Sequence, residues 1–111
     1  MKAFIAAVTA TTLLTLSGVA KAESPVDIAK AAKLDCLACH TIDKKVVGPA
    51  WKDVSAKYKG DKGAQETLVA KVIKGGKGNW DKVTGGQVMT PHPNAAQKAD
   101  IEKVVAAILT L

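Results

Sequence analysis

An all-α fold with long loops is what this 111-residue sequence predicts, and three features carry the prediction. Apolar residues recur at spacings of three and four along several segments, most clearly in "DIEKVVAAILTL" at the C-terminus. Capping signals bracket such segments, with a serine-proline start at Ser24-Pro25 and a glycine-glycine stop at Gly75-Gly76. No run alternates apolar and polar residues over the length of a strand, and there is no repeat or low-complexity tract.

Residues 1–22 read as an export signal. Lys2 supplies a basic start, "AFIAAVTATTLLTLSGVA" an apolar stretch, and Ala20-Lys21-Ala22 a small-x-small cleavage site. Cleavage after Ala22 leaves residues 23–111 as one small exported domain. The alternative, a retained membrane anchor, is weakened by the threonines and the serine in the apolar stretch. No later segment is apolar enough to span a bilayer.

A first helix is expected from about Pro25 to Leu34. Ser24 is an N-cap residue, Pro25 suits the first helical position, and Asp27 places an acid in the first turn. Ile28, Ala31 and Ala32 share one face, and the alanines let another helix approach closely. After "HTIDKKVVGPA", a loop punctuated by Gly48-Pro49, "WKDVSAKYK" forms a short second helix ended by Gly60. "AQETLVAKVIK" forms a third, with Leu68, Val69, Val72 and Ile73 as its apolar face. The stretch "GGKGNWDKVTGGQVMTPHPN" holds five glycines and two prolines and reads as a loop. A loop that long inside a small domain implies that it wraps something. The last helix sets Ile101, Val104, Val105, Ile108 and Leu109 on one stripe. Burying five such side chains contributes on the order of 8–15 kcal/mol as an upper bound, so this helix belongs to the core.

Core material is nonetheless short. Phe4 leaves with the leader, so Trp51, Tyr58 and Trp80 are the aromatics of the mature chain. Domains of this size bury only ~60–65% of their surface and often add a disulfide, a metal or another staple. Charge narrows the partners. All sixteen basic residues are lysines; two lie in the leader, leaving fourteen against ten acids, a net +4. Nucleic-acid recognition draws on arginine and interleaved aromatics, which are missing here. Dispersed lysines solubilise the surface and create a diffuse positive field toward acidic partners.

Chemistry concentrates in "KLDCLACHTIDKK", residues 33–45, where the only two cysteines stand three apart and a histidine follows the second. A disulfide between Cys36 and Cys39 closes too small a loop to remove much unfolded-state entropy. A thioredoxin-like pair needs a helix N-terminus to lower the thiol pKa, whereas this motif follows a helix and precedes a glycine-proline loop. A tetrahedral zinc site has to recruit His92, fifty-two residues beyond His40, a spacing unlike that of zinc fingers. The specific meaning of C-x-x-C-H is covalent attachment of a c-type haem. Two thiols so spaced reach the two vinyl groups on one porphyrin edge, and the adjacent His40 lies under the iron as proximal ligand. One haem c per chain also supplies the missing bulk. For the sixth iron position the mature chain offers Met89 and His92, both in the long loop. A thioether favours Fe(II) and raises the potential, and a second imidazole lowers it. Pro91 and Pro93 stiffen His92, so Met89 is favoured, with His92 or an open site as alternatives.

Taken in order, "CLACH", "VGPAWKDVSAKY", "LVAKVIKGGKGNW", "VMTP" and the C-terminal amphipathic helix closely resemble the small bacterial class I monohaem cytochromes c, short-chain periplasmic electron carriers, throughout the mature region. The resemblance implies a helical shell around one haem, with the N- and C-terminal helices packed across each other. It implies that Pro49 offers its carbonyl to the Nδ1–H of His40, and that the Trp80 indole N–H donates to a haem propionate, with Lys71 as a further partner. "WDKVTGGQVMTPHPN" is longer on both sides of Met89 than the family's most compact pattern, so its asparagine contact to the methionine sulfur is not carried to Asn94.

The function expected is single-electron shuttling between larger redox proteins by a monomer that docks briefly and is not an enzyme. Two rivals stand beside it. A peroxidase-like enzyme needs an open sixth position with His92 as its acid-base group, and a haem c subunit of an oxidase or reductase needs a permanent partner.

Overall fold

The C-terminal stripe organises the fold. A computed structural model describes residues 23–111, so the expected leader, 1–22, lies outside the described residues. Five helices follow in order: α1 (Pro25–Ala31), α2 (Trp51–Lys57), α3 (Ala64–Lys74), α4 (Asp81–Thr84) and α5 (Lys98–Ile108). Helices α1 and α3 pack on α5, and α2 joins them. Ile101, Val104, Val105 and Ile108 of α5 are buried, and Leu109 packs half-buried beside them. Among the described residues there is no strand, only the isolated bridges His40–Lys45 and Gly76–Met89. No described helix is long and apolar enough to cross a membrane.

Helix α1 starts as expected, with the Ser24 hydroxyl accepting from the Val26 N–H at 3.3 Å. It ends three residues earlier than the expected Leu34. Ala32 is its C-cap, and Lys33 adopts a left-handed conformation with φ 56°. The Leu34 N–H then returns to the Ala29 carbonyl at 2.9 Å, the wrapped C-terminus usually made with glycine. A lysine there costs roughly 1–2 kcal/mol of backbone strain. What the turn gains is burial of Leu34, 6% exposed, and a reversal of chain direction immediately before the cysteines. The contact face of α1 also differs from expectation. Ala29 is fully buried and Ala31 is exposed, because Pro25 and Ala29, four apart, form the stripe that meets α5.

Helix α3 keeps its expected bounds, and α2 ends at Lys57, just short of its expected limit. The loop expected throughout 75–94 contains one helical turn, α4, closed by Gly85 in the left-handed region. A 3-10 turn, Ala95–Gln97, leads into α5, and the Asn94 side chain caps it by accepting from the Ala96 N–H at 3.0 Å. Buried Ser55 on α2 donates to the Leu111 carbonyl at 3.1 Å, tying α2 to the end of the chain.

Ile101, 1% exposed, is the most deeply buried large side chain of α5. Ile101→Ala should cost about 2–5 kcal/mol in chemical denaturation of the purified protein. Lys103→Ala, at an exposed position of the same helix, should stay within about 0.5 kcal/mol.

Candidate haem site

The left-handed turn at Lys33 delivers the chain into a 3-10 turn, Asp35–Ala38. The Cys36 carbonyl there accepts from the N–H groups of both Cys39 (3.2 Å) and His40 (2.9 Å). This folds the motif back on itself, and Cys36, Cys39 and His40 all line one cavity. Both cysteines are free thiols, half-buried. Burial, and then the neighbouring Asp35 carboxylate, push the Cys36 thiol above its ordinary pKa. That is the reverse of what a disulfide-exchanging nucleophile requires.

His40 is held by the loop that follows it. Its Nδ1 lies 2.9 Å from the Pro49 carbonyl oxygen. A carbonyl can only accept, so Nδ1 carries the proton and Nε2 keeps its lone pair. Burial lowers the His40 pKa, and the bond to Pro49 partly opposes this. The ring is thereby favoured in its neutral form, the form that binds metal.

The loop carrying Met89 hangs on the end of α3. Gly76 and Met89 exchange backbone hydrogen bonds, Gly76 N–H to Met89 O at 2.8 Å and Met89 N–H to Gly76 O at 3.2 Å. Gly75, with φ 66°, is pressed against this segment so closely that a Cβ would fall 2.5 Å from the Met89 oxygen and 2.6 Å from the Pro91 nitrogen. Three residues after Met89, the His92 N–H lies 3.1 Å from the carbonyls of both Val72 and Ile73, acceptors left free where α3 runs out. The His92 ring also lines the cavity. Its Nε2 lies 3.4 Å from an Asp35 carboxylate oxygen, while Nδ1 is buried without a partner.

Trp80 is the N-cap of α4, its carbonyl accepting from the Val83 and Thr84 N–H groups at 2.9 Å. The Lys57 ammonium sits 4.4 Å from the centre of its ring and donates to the Asn79 carbonyl at 2.8 Å. Lys71 donates to the Lys77 carbonyl and borders the same cavity. All six residues singled out from the sequence, Cys36, Cys39, His40, Pro49, Trp80 and Met89, meet on its walls. Sequence reasoning read Gly75-Gly76 only as a helix stop and Trp51 only as an aromatic. The first pair seats the Met89 segment, and Trp51 stacks on His40.

The remaining walls are mostly apolar and include Leu34, Val54, Leu68, Ile101, Val104 and Ile108. They surround a cavity that opens to solvent. A flat apolar macrocycle with a metal centre fits what meets here: two free thiols at one edge, a neutral imidazole with a spare lone pair, and a thioether.

The cytochrome c family model matches residues 26–111. The chain is 51% identical over 86 residues to cytochrome c-551 of Allochromatium vinosum, covering 77% of this chain and 85% of that protein. It is 42% identical over 103 residues to cytochrome c-552 of Nitrosomonas europaea, covering 92% and 90%. The crystal structure of the Nitrosomonas europaea cytochrome c552 superposes with a TM-score of 0.62 at 38% identity, over 78% of this chain and 98% of that one. With relatives of this kind it is a small electron-carrier cytochrome, and its cofactor is one covalent haem c, for which Cys36 and Cys39 are the only cysteines available. The chain belongs to the cytochrome c family.

Proposed function

We propose that the protein is a periplasmic single-electron carrier whose haem iron is held between His40 and Met89. The observation that carries this reading is the convergence of Met89 and a neutral, hydrogen-bonded His40 on one cavity. When bound, the haem supplies a one-electron Fe(II)/Fe(III) couple. Cys36 and Cys39 anchor it through thioethers, so the cofactor does not dissociate. His40 donates through Nε2, and its Nδ1–H bond to Pro49 fixes the ring and raises its basicity. Met89 contributes a soft, neutral sulfur that favours Fe(II). The indole N–H of Trp80 serves a propionate, with the Lys57 ammonium over its ring holding the side chain in place.

Pro91 and Pro93 stiffen the backbone on both sides of His92 and favour Met89 over it, and the Met89 segment is paired with Gly76 at the end of α3. The imidazole of His92 is directed to Asp35 instead. Two protein ligands on the iron leave no position for substrate, and on this reading no bond is made or broken and the protein is not an enzyme. Export through residues 1–22 places the carrier in the periplasm, where larger redox proteins are its donor and acceptor. Its excess of lysine speeds encounter with acidic partner surfaces, an effect that weakens with salt.

The oxidised protein should show the weak long-wavelength absorption band of Fe(III)–sulfur ligation. Met89→Ala should lose that band and lower the potential by about 120 mV or more, a hundredfold loss of Fe(II) preference at ~59 mV per decade, with the haem still attached. An unchanged band and potential in that variant would refute Met89 as ligand. Gly75→Ala, which forces a methyl onto the Met89–Pro91 backbone, should weaken the same band at neutral pH while leaving covalent haem content unchanged. Absorption spectra of the two proteins at equal haem concentration check this.

A further inference from the structure

The bond from His40 to Pro49 leaves one freedom open, since an imidazole can rock about a single N–H···O axis without breaking it. Two other residues limit that motion. Trp51 stacks on the ring, with centroids 5.9 Å apart and planes inclined by 20°. Gly48 approaches from the loop so closely that an added Cβ would strike Cε1 and lie 2.9 Å from Nδ1 and 3.0 Å from Nε2. Neither is free to give way. The Gly48 N–H is bonded to the Cys39 carbonyl at 2.8 Å, and the Trp51 N–H to the Thr41 carbonyl at 2.9 Å. The backbone neighbours of His40 on both sides are therefore tied to the two residues that touch its ring. Trp51 itself is 3% exposed, fixed at the first position of α2.

We infer that Trp51 and Gly48 are positioning residues that set the rotational angle of the His40 imidazole, and through it the direction in which the proximal ligand plane lies over the porphyrin. The inference rests on His40 being the axial ligand. A planar π-donor ligand splits the iron orbitals that overlap with the four pyrroles, so its angle, together with the direction of the Met89 sulfur lone pair, decides which pyrroles share the unpaired electron of Fe(III). Trp51 thus influences where on the macrocycle the transferred electron has its density, without touching the haem's attachment.

Proton NMR of the oxidised, haem-loaded protein tests this, because the four haem methyl shifts report that distribution directly. Trp51→Leu keeps an apolar side chain but removes the stacked plane, and should change the order or spread of the four methyl resonances. Trp51→Phe restores a plane and should return the wild-type order. Gly48→Ala adds one methyl against the ring without removing core volume, and should shift the pattern even if Trp51→Leu fails to fold. Methyl patterns identical to wild type in Gly48→Ala and in any folded Trp51→Leu, with His40 ring protons still strongly hyperfine-shifted, would overturn the inference and leave the ligand assignment intact. Wild-type protein lacking hyperfine-shifted His40 ring protons would overturn the ligand assignment, and the inference with it.

Discussion

The buried stripe of α5 holds the helices together and lines the cavity at the same time. Ile101, Val104, Val105 and Ile108 are buried in the packing with α1 and α3, yet all four also line the cavity. So do Trp51 and Val54 of α2. Each such side chain contributes ~1.5–3 kcal/mol only when water is kept from it. The principal core of this small domain is thus also the wall of the candidate haem site, and on the proposed reading folding and haem binding draw on the same apolar surface. Attachment through two cysteines suits that arrangement, because a group that completes the core must not dissociate.

Around this constraint the irregular parts of the chain acquire purposes. Lys33 accepts a left-handed conformation so that Leu34 enters the core and the cysteine turn starts facing the cavity. The loop from Thr41 to Ala50 returns to place the Pro49 carbonyl on Nδ1 of His40, and it is tied without regular structure by backbone bonds from Gly48 to Cys39 and from Trp51 and Lys52 of α2 back to Thr41 and Ile42. On the other side, the glycine pair after α3 lets the Met89 segment lie flat against the helix end. The two proposed iron ligands, His40 and Met89, are therefore both positioned by main-chain contacts, which are stiffer than contacts between long side chains.

Most of the helical frame was legible in the sequence, because caps and apolar periodicity are local. Ser24-Pro25, the α3 bounds and the α5 stripe needed nothing beyond their own neighbours in the chain. The C-x-x-C-H chemistry was legible for the same reason. The end of α1 was not, since a lysine stands where glycine normally signals a left-handed cap, and tertiary burial of Leu34 overrode local preference. Helix α4 was hidden by its brevity and by the glycines around it. The contact of Trp51 with His40 and the seating of Met89 on Gly75-Gly76 depend on chain segments meeting across loops, and no periodicity records such meetings. Pro49 and Trp80 were reached only through resemblance to a family.

Far-UV circular dichroism of residues 23–111, compared with and without covalently attached haem, tests the dependence of the core on its cofactor most directly. The account predicts a helical, cooperatively melting holoprotein and a haem-free chain with little helix and no cooperative transition. A colourless chain with the same helix content and an equally sharp thermal transition would contradict it.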